Sequence, residues 1–356
     1  MIAYRSRQVR RTKDGERPVR EIPDRPSHKP AFFPESVSDG FMTSSAYTGS
    51  SGRIRTRQVV SHMVTPKITD VRELPGDSAF LIDDGETAVL YDTGFGFTGY
   101  AVSDRIAAEL GDRDLDYILL THSHYDHVLG TPYIKRRYPG ARVVAGSYAA
   151  RIFSKESARA TMRRLDRSHA ATCGVTDYED LVDELAVDIE VEDGDVLECG
   201  SMTFEVIGLP GHTKCSVGFN LQGHDILLGT ETLGVYFGGD RYLPSCLVGY
   251  GMTLDSLGRV RDLGRGGMVI PHYGYVDPGE AARFLERSES NLRMIADRIT
   301  GILSSGGTKE DAIAYFTDGF YDDEVRKVYP VDAFELNTGI MVDLFRRELL
   351  PDTDQS

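Results

Sequence analysis

The chain has 356 residues and is 40% hydrophobic, which is enough for one large domain or two small ones. Its net charge of −15 is unevenly spread, because residues 1–62 carry 12 Lys and Arg against 6 Asp and Glu, and the remaining residues therefore carry −21. Phosphate binding needs a basic face, so a folded part this acidic disfavours nucleic acid as the main partner.

The cysteines and the apolar segments indicate a cellular compartment. The chain has four cysteines, and none lies in a CxxC pair, which does not match a disulfide framework. No apolar stretch reaches the roughly 18 residues expected of a membrane span. No apolar segment follows Arg10-Arg11, as a secretory or twin-arginine signal would require. We therefore expect a cytoplasmic protein without a membrane partner.

Residues 1–62 differ in composition from the rest of the chain. They are rich in Arg, Ser, Pro and Gly and show no sustained hydrophobic period, so we predict a disordered basic segment. Such a segment can dock to a partner. We favour a dispensable leader, or a start codon placed too far upstream with Met63 as the functional start, because chain termini are so often disordered.

The next part of the chain alternates strands and helices from about Ile68. Short apolar runs between turn residues predict strands at residues 71–74, 79–82, 88–91, 117–120, 141–145, 187–191, 196–199, 202–209, 216–221, 225–228 and 268–270. Helices are predicted at residues 102–110, 147–173 and 254–260. This order favours an α/β fold with two sheets.

Past Pro278 the pattern becomes helical. Apolar residues recur at three- and four-residue steps from Leu292 to Ile302 and give one apolar stripe. Thr308, three residues before Asp311, predicts a capped helix start, and a further helix follows. We therefore divide the chain into a basic segment over residues 1–62, a core domain over 63–277 and a helical segment over 278–350.

One stretch, Thr121-His122-Ser123-His124-Tyr125-Asp126-His127, holds most of the candidate chemistry. It contains three histidines and an aspartate directly after a predicted strand. Open α/β sheets place their sites in the loops at the C-terminal ends of strands, and a loop can turn successive side chains toward one point. Imidazole and carboxylate are ligands that suit zinc or iron. The stretch therefore predicts part of a metal site.

Further candidate ligands stand at the ends of other predicted strands. His212 in LPGHT ends one strand, Glu231 in GTET ends the next, and His272 in IPHYG ends the last. A lone histidine is more often structural, but the shared position at strand ends makes these residues the expected partners of the first cluster. Asp92 follows the strand at residues 88–91 in the same way.

These motifs, in this order, resemble the metallo-β-lactamase superfamily over about residues 66–275. The residues that carry the resemblance are His122, His124, Asp126 and His127 for its HxHxDH motif, Asp92 for its first motif, His212 for its PGHT histidine, and His272 for its final histidine. The resemblance implies an αββα four-layer sandwich that holds two divalent metal ions. Zinc is the favoured metal, with iron or manganese as alternatives.

The resemblance also implies how the ligands are shared. The expected sets are His122, His124 and His212 for one metal ion, and Asp126, His127 and His272 for the other. Asp92 would orient a ligand histidine through a hydrogen bond. Where the family usually has a bridging Asp, this chain has Glu231, whose longer side chain can change the metal separation or preference. Asp240 is a weaker substitute for that bridge.

The implied chemistry is hydrolysis of a small-molecule acyl substrate. Two cations that share a water lower its pKa from about 15.7 toward 7, so that a metal-bound hydroxide can attack an ester or thioester carbon. Asp126 and Glu231 are the expected catalytic carboxylates, with Asp126 orienting the hydroxide and taking up a proton. Arg241, Tyr242 and Tyr273 are expected substrate contacts.

Two other functions stay open. With iron, the chain would be a redox enzyme similar to persulfide dioxygenases, which use one iron and would tolerate a weak second site at Glu231. A non-catalytic protein that keeps a metal-stabilised fold is the other alternative. The helices of residues 278–350 either form a lid over the metal site, as in glyoxalase II enzymes and quinolone-pathway thioesterases, or complete the core or a homodimer interface.

Overall fold

The computed structural model describes residues 65–264 and 266–351, so the prediction for residues 1–62 lies outside it. The strands of the described part are β1 Lys67–Asp70, β2 Phe80–Asp83, β3 Ala88–Tyr91, β4 Tyr117–Leu120, β5 Arg142–Gly146, β6 Ile189–Val191, β7 Val196–Cys199, β8 Met202–Gly208, β9 Val217–Leu221, β10 Ile226–Leu228, β11 Val235–Tyr236, β12 Tyr242–Leu243, β13 Gly267–Ile270 and β14 Gly274–Val276. Its helices are α1 Gly99–Leu110, α2 Tyr125–Val128, α3 Thr131–Arg137, α4 Ser147–Phe153, α5 Glu156–Thr172, α6 Tyr250–Asp262, α7 Pro278–Ser304, α8 Lys309–Phe320, α9 Val325–Val328 and α10 Val331–Leu349.

The strands form two six-stranded sheets and one small hairpin. The first sheet has the order β1-β2-β3-β4-β5-β6, and its strands from β3 to β6 run parallel. The second sheet has the order β14-β13-β10-β9-β8-β7, in which β10 and β13 are parallel and the other neighbours are antiparallel. Strands β11 and β12 pair with each other as the hairpin.

The two sheets pack face to face because each contributes apolar side chains to a shared core. Successive strand residues point to opposite faces, so Phe80 joins Phe204 and Phe219 between the sheets, whereas Leu81 packs on the helix side with Ile106 of α1. Both faces of the first sheet are therefore buried, as parallel strands require.

The outer face of the second sheet is covered by later helices. Leu227 of β10 lies in one core with Leu257 of α6, Phe284 of α7 and Phe345 of α10. Together with the helices outside the first sheet, this makes four layers and confirms the predicted αββα sandwich with a helical C-terminal extension. No helix of the described residues combines the length and hydropathy needed to cross a membrane.

The prediction of a strand at residues 71–74 was wrong. The first strand ends at Asp70, and the chain then turns because the carboxylate of Asp77 accepts hydrogen bonds from the backbone N–H groups of Glu73 and Leu74, at 3.0 and 2.8 Å. The hairpin of β11 and β12 and the last strand, β14, were not predicted. These strands have only two or three residues each, which is too short for a periodic pattern.

The capped start of α8 is confirmed. The side-chain oxygen of Thr308 accepts from the backbone N–H of Asp311 at 3.1 Å, and the Asp311 carboxylate accepts from the backbone N–H of Thr308 at 2.8 Å. The long helix α7 begins in a related way, with Asp277 accepting from the backbone N–H of Glu280 at 2.9 Å.

Five strands end at the same edge of the sandwich. In the first sheet β3 and β4 are parallel, and in the second β8 runs with β10 and β13, because β9 is antiparallel to both of its neighbours. The residues just beyond these strand ends include Asp92, His122, His212, Glu231 and His272. The topology therefore brings together side chains that are up to 180 positions apart in the sequence.

Candidate metal centre

The HxHxDH stretch begins as a loop and continues as one turn of helix. His122 follows β4 directly, and His124 has the extended backbone that precedes α2. Asp126 and His127 lie on α2 itself, whereas the sequence predicted a loop throughout. The change of direction at His124 turns side chains from both parts toward one point.

The seven candidate ligands converge in two groups. The first group is His122, His124, His212 and Glu231, and the second is Asp126, His127 and His272. Within each group the ligand atoms lie within 4.8 Å of one another. In the first, Nδ1 of His124 is 2.8 Å from Nε2 of His212. The structure thus assembles the two sets that the resemblance implied, and either group could hold a metal ion.

Glu231 lies between the two groups. Its Oε2 is 2.9 Å from Nε2 of His212 and 3.4 Å from Nε2 of both His122 and His127. Its Oε1 is 3.5 Å from Nε2 of His272. One carboxylate therefore contacts imidazoles of both groups, which is the place expected of the family's bridging aspartate. Asp240, the weaker alternative, is exposed in the loop between β11 and β12.

Three buried histidine nitrogens in the centre have no hydrogen-bond partner among the described residues. Within the described residues, Nε2 of His122, of His127 and of His272 is buried and accepts or donates no hydrogen bond. A buried polar atom without a partner is costly, and such atoms call for an explanation. Imidazole nitrogens that face carboxylates across a small gap are the donor set that zinc or iron takes, so the residues present fit a metal ion.

In two of these histidines, the opposite ring nitrogen forms a hydrogen bond with the protein. Nδ1 of His127 is 2.7 Å from Oδ2 of Asp92, and Nδ1 of His272 is 3.2 Å from the carbonyl oxygen of Asp77. Both partners accept hydrogen bonds, so Nδ1 carries the proton in each ring. In the neutral ring, the lone pair of Nε2 then faces the centre, as metal ligation requires.

Asp92 is fully buried, and its carboxylate accepts hydrogen bonds from several donors. Besides His127, it accepts from the Ser78 hydroxyl at 2.9 Å and from the Thr121 backbone N–H at 2.9 Å. The backbone of Asp92 has a φ of 55°, an unfavourable value for a residue other than glycine. Such strain persists where the surrounding structure holds it, and here it places the carboxylate against His127.

Two histidines of the first group, His122 and His124, stay uncharged. Burial, together with the neighbouring His127, lowers the pKa of His122 well below its usual value. Burial, together with His212, lowers the pKa of His124 to about 3. A neutral imidazole keeps the lone pair that a metal ligand needs, so both rings are ready for ligation over the physiological pH range.

In the metal-free protein, the surrounding charges shift the pKa of two further groups of the centre in opposite directions. Burial alone would lower the pKa of His127, but the carboxylates of Asp92 and Asp126 raise it well above its usual value. Burial would raise the pKa of Glu231, yet the adjacent imidazoles, above all His212, lower it well below its usual value. Glu231 is therefore a carboxylate in the folded protein, and an ionised carboxylate is a good ligand for a divalent cation.

A glycine allows His212 to reach the centre. Gly211 has a φ of 148°, and a Cβ at this position would lie 2.4 Å from Oγ1 of Thr253. His212 is then fixed from its other side, since its Nδ1 lies 3.0 Å from the carbonyl oxygen of Ser245.

Arg72 supports the His272 loop and was missed in the sequence. Its guanidinium donates to the backbone carbonyl groups of His272 and Tyr273, and it pairs with Asp70 at 2.7 Å. His272 has a φ of 63°, so its loop needs this external support. Arg72 follows the first strand, 200 positions before His272, and carries no motif that could have indicated the contact.

Tyr329 is the other residue that the sequence did not indicate. Its hydroxyl donates to Oε1 of Glu231, and its ring centre is 6.1 Å from that of His272. Burial, together with Glu231, raises the pKa of Tyr329 well above its usual value, so the hydroxyl keeps its proton. The helical segment at the C-terminal end thus places a side chain directly in the centre.

The three predicted substrate contacts have other partners in the structure. Arg241 forms an ion pair with Asp322, and both side chains are about half exposed. Tyr242 is buried and stacks on Tyr236, with ring centres 5.1 Å apart. Tyr273 follows His272 and is partly exposed, but its ring lies 4.4 Å from that of Tyr236. That these residues contact substrate stays a prediction.

Comparison with known proteins agrees with this geometry. Residues 74–287, more than half of the chain, match the metallo-beta-lactamase superfamily. The chain belongs to this superfamily. A metallo-beta-lactamase family protein from Thermus thermophilus has a similar structure, with a TM-score of 0.51 and 21% identity over 76% of this chain and 88% of its own. At that identity the likeness shows the fold alone.

Curated relatives in the superfamily match at low identity. A metallo-beta-lactamase fold-containing protein from Sulfurisphaera tokodaii is 28% identical over 46% of this chain and 62% of its own length. A hydroxyacylglutathione hydrolase from Stenotrophomonas maltophilia is 29% identical over 40% and 41%, respectively. The chain thus spans less than two thirds of these relatives. An atrochrysone carboxyl ACP thioesterase from a Cryptosporiopsis species is 24% identical over 75% of this chain and 79% of its own.

Proposed function

We propose that the chain is a metal-dependent hydrolase of a thioester or a related acyl substrate. The observation that carries the proposal is the position of Glu231, whose two oxygens face histidines of both ligand groups. Three buried imidazole nitrogens around it form no hydrogen bond within the described residues. This arrangement supports a centre for two metal ions rather than a structural hydrogen-bond network.

The names of the relatives support the substrate class. One is a hydroxyacylglutathione hydrolase and another is a carboxyl ACP thioesterase, and the second matches three quarters of this chain. Both names describe hydrolysis of an acyl group from a carrier. We therefore place this chain's substrate among small acyl thioesters or esters.

The protein's own residues can be given roles in such a reaction. Two zinc ions, when bound, would lower the pKa of a shared water toward about 7 and polarise the acyl carbonyl. Asp126, whose Oδ2 lies 3.8 Å from Nε2 of His127 and of His272, is the base that would orient the attacking water and take up its proton. Glu231, which contacts histidines of both groups, would hold them at a fixed separation.

Metal analysis combined with a substrate panel tests this function. The full chain is purified without added metal, its metal content is measured by mass spectrometry, and it is assayed on acyl-CoA, glutathione thioester, acyl carrier and lactone substrates. We expect hydrolysis of at least one class, and Asp126→Asn should reduce kcat by about 10²–10⁴-fold because it removes both the proposed base and a candidate ligand of the second group. The matched control is Asp240→Asn, an exposed carboxylate outside both ligand groups, which should keep wild-type activity.

Two results would contradict the proposal. Protein with both sites loaded that hydrolyses no member of the panel would exclude an acyl hydrolase of these classes. Protein that retains a single iron and consumes dioxygen with a persulfide substrate would instead support the redox alternative.

A further inference from the structure

Tyr329 lies at the junction of α9 and α10, and both its backbone N–H and its backbone carbonyl form hydrogen bonds. Its backbone N–H donates to the carbonyl of Val325 at 2.8 Å, and its own carbonyl accepts from the Tyr321 hydroxyl at 3.0 Å. The side chain then extends into the metal centre, where its hydroxyl donates to Oε1 of Glu231. A residue in a short turn of the helical segment therefore contacts a candidate metal ligand.

The segment comes close to the core at this point. A Cβ built on Gly76 would lie 2.8 Å from the carbonyl oxygen of Val328, so a larger residue at position 76 would push the segment away. Gly76 precedes Asp77, whose carbonyl accepts the hydrogen bond from His272. The backbone at Gly76 and Asp77 thus contacts both the His272 side chain and the turn that carries Tyr329.

We propose that Tyr329 is a positioning residue of the metal centre, which holds Oε1 of Glu231 so that Oε2 faces His122, His127 and His212. This inference rests on the metal-binding part of the proposed function and not on hydrolysis. It gives the C-terminal segment a role in completing the centre, beyond packing against the core.

The flexibility of the glutamate side chain at position 231 explains why a second residue is needed to fix its orientation. Glutamate has one more rotatable bond than aspartate, and its terminal torsion is broad, so its carboxylate can turn. Oε2 is surrounded by His122, His127 and His212 at 2.9–3.4 Å, whereas Oε1 has His272 at 3.5 Å and the hydroxyl of Tyr329. The tyrosine therefore supplies the closer contact on the Oε1 side and selects one orientation.

The direct test is the Tyr329→Phe variant in the full chain, which removes the hydroxyl and keeps the ring. Zinc binding to the metal-free protein is measured by competition with a chromophoric chelator, and cobalt binding by visible absorption. Removing a hydrogen-bond partner of a metal ligand typically costs 10–100-fold in affinity, so we expect a loss of about that size for at least one of the two ions and an altered cobalt spectrum.

A matched control distinguishes this positioning role from the general effect of removing a tyrosine hydroxyl that bonds to a glutamate. Tyr236 donates its hydroxyl to Glu280, and neither residue belongs to the ligand groups. Tyr236→Phe removes a tyrosine–glutamate hydrogen bond in the same molecule. It should leave both zinc affinities within about two-fold of wild type.

Coupling to Glu231→Asp distinguishes positioning from a general effect on folding. Because aspartate is one methylene shorter, we expect it to fall short of the tyrosine, so in the Glu231→Asp background Tyr329→Phe should change zinc affinity by less than two-fold. Wild-type affinity in the single Tyr329→Phe variant, or an equal loss in both backgrounds, would overturn the proposal. Because the readout is metal binding, a chain that shows the coupling but hydrolyses nothing would refute the proposed hydrolase activity alone.

Discussion

The carboxylate of Asp92 links the first sheet to the second ligand group. It takes hydrogen bonds from His127, Ser78 and Thr121, and all of these contacts are buried. An aspartate can accept from all three at once, whereas an asparagine would turn an N–H group toward at least one donor. The residue therefore controls both local stability and the direction of the His127 lone pair.

We expect Asp92→Asn to lower zinc affinity by about 10–100-fold, because His127 loses its carboxylate partner. It should also reduce the free energy of unfolding of the metal-free protein by about 1–3 kcal/mol, since a buried donor is left unpaired. Chelator competition and urea unfolding measure the two effects. Ser78→Ala removes one donor and leaves the Asp92–His127 contact, so unchanged zinc affinity in that variant is the control. Equal affinity losses in the two variants would contradict this account of Asp92.

Asp166 gives a pH dependence that does not involve the metal ligands. Its carboxylate accepts from the Gly96 backbone N–H at 2.9 Å and from the Tyr178 hydroxyl at 2.6 Å. Burial, partly offset by these hydrogen bonds, raises the pKa of Asp166 from 3.8 to about 6. The folded chain therefore holds this proton more tightly than the unfolded chain, and the resulting stability is present below about pH 4 and lost as the pH rises through 6.

Asp166→Asn should remove this contribution. The unfolding free energy of the wild type, relative to that of the variant, is expected to fall by about 2.4 kcal/mol between pH 4 and pH 7. Urea unfolding of the metal-free proteins across this range measures the difference. A difference that stays constant with pH, or that rises, would show that folding does not raise the pKa of Asp166.

At the scale of elements, the loop between β13 and β14 depends on a residue from outside the second sheet. Arg72 binds the carbonyl groups of His272 and Tyr273, and its side chain is 14% exposed. Because the guanidinium forms several hydrogen bonds in a fixed plane, lysine cannot replace it. This contact joins the start of the first sheet to a candidate ligand at the end of the second.

We expect Arg72→Ala and Arg72→Lys to weaken zinc binding at the second group, with the lysine variant closer to the alanine variant than to wild type. The reason is that the strained backbone of His272 loses its support. Arg105→Ala is the control, since Arg105 forms an ion pair with Glu73 in which both side chains are over a third exposed, and such pairs contribute about 0–1 kcal/mol. Wild-type zinc affinity in Arg72→Lys would show that charge alone supports the loop.

Elements with a local hydrophobic pattern could be predicted from the sequence. Features that depend on contacts between residues far apart in the sequence could not. The apolar runs of β3 and β4 and the polar residues after them indicated both the strands and the ligands, because periodicity and position act within a few residues. The two-residue strands β11 and β12 have no such period. Arg72 and Tyr329 reach the centre only through tertiary contacts, 200 and 98 positions away from their partners. A sequence without aligned relatives contains no signal for such pairs.

At the scale of the whole molecule, the sandwich brings two ligand groups to one edge, and the helical segment places the Tyr329 hydroxyl against Glu231. The first group joins β4 of one sheet to β8 and β10 of the other, and the second group joins α2 to β13. Any metal ion bound there would connect both sheets. Removal of metal should therefore lower the stability of the entire fold, by about 2.7 kcal/mol relative to zinc at 100 times its Kd.

The number of zinc ions bound per chain tests the central claim most directly. Native mass spectrometry of the full chain, stripped of metal and then reloaded with zinc, counts them. We expect two ions for the wild type and one for His272→Ala, which removes a ligand from the second group only. Wild-type protein that binds no zinc, or only one ion that His272→Ala leaves in place, would contradict a centre in which Glu231 lies between two metals.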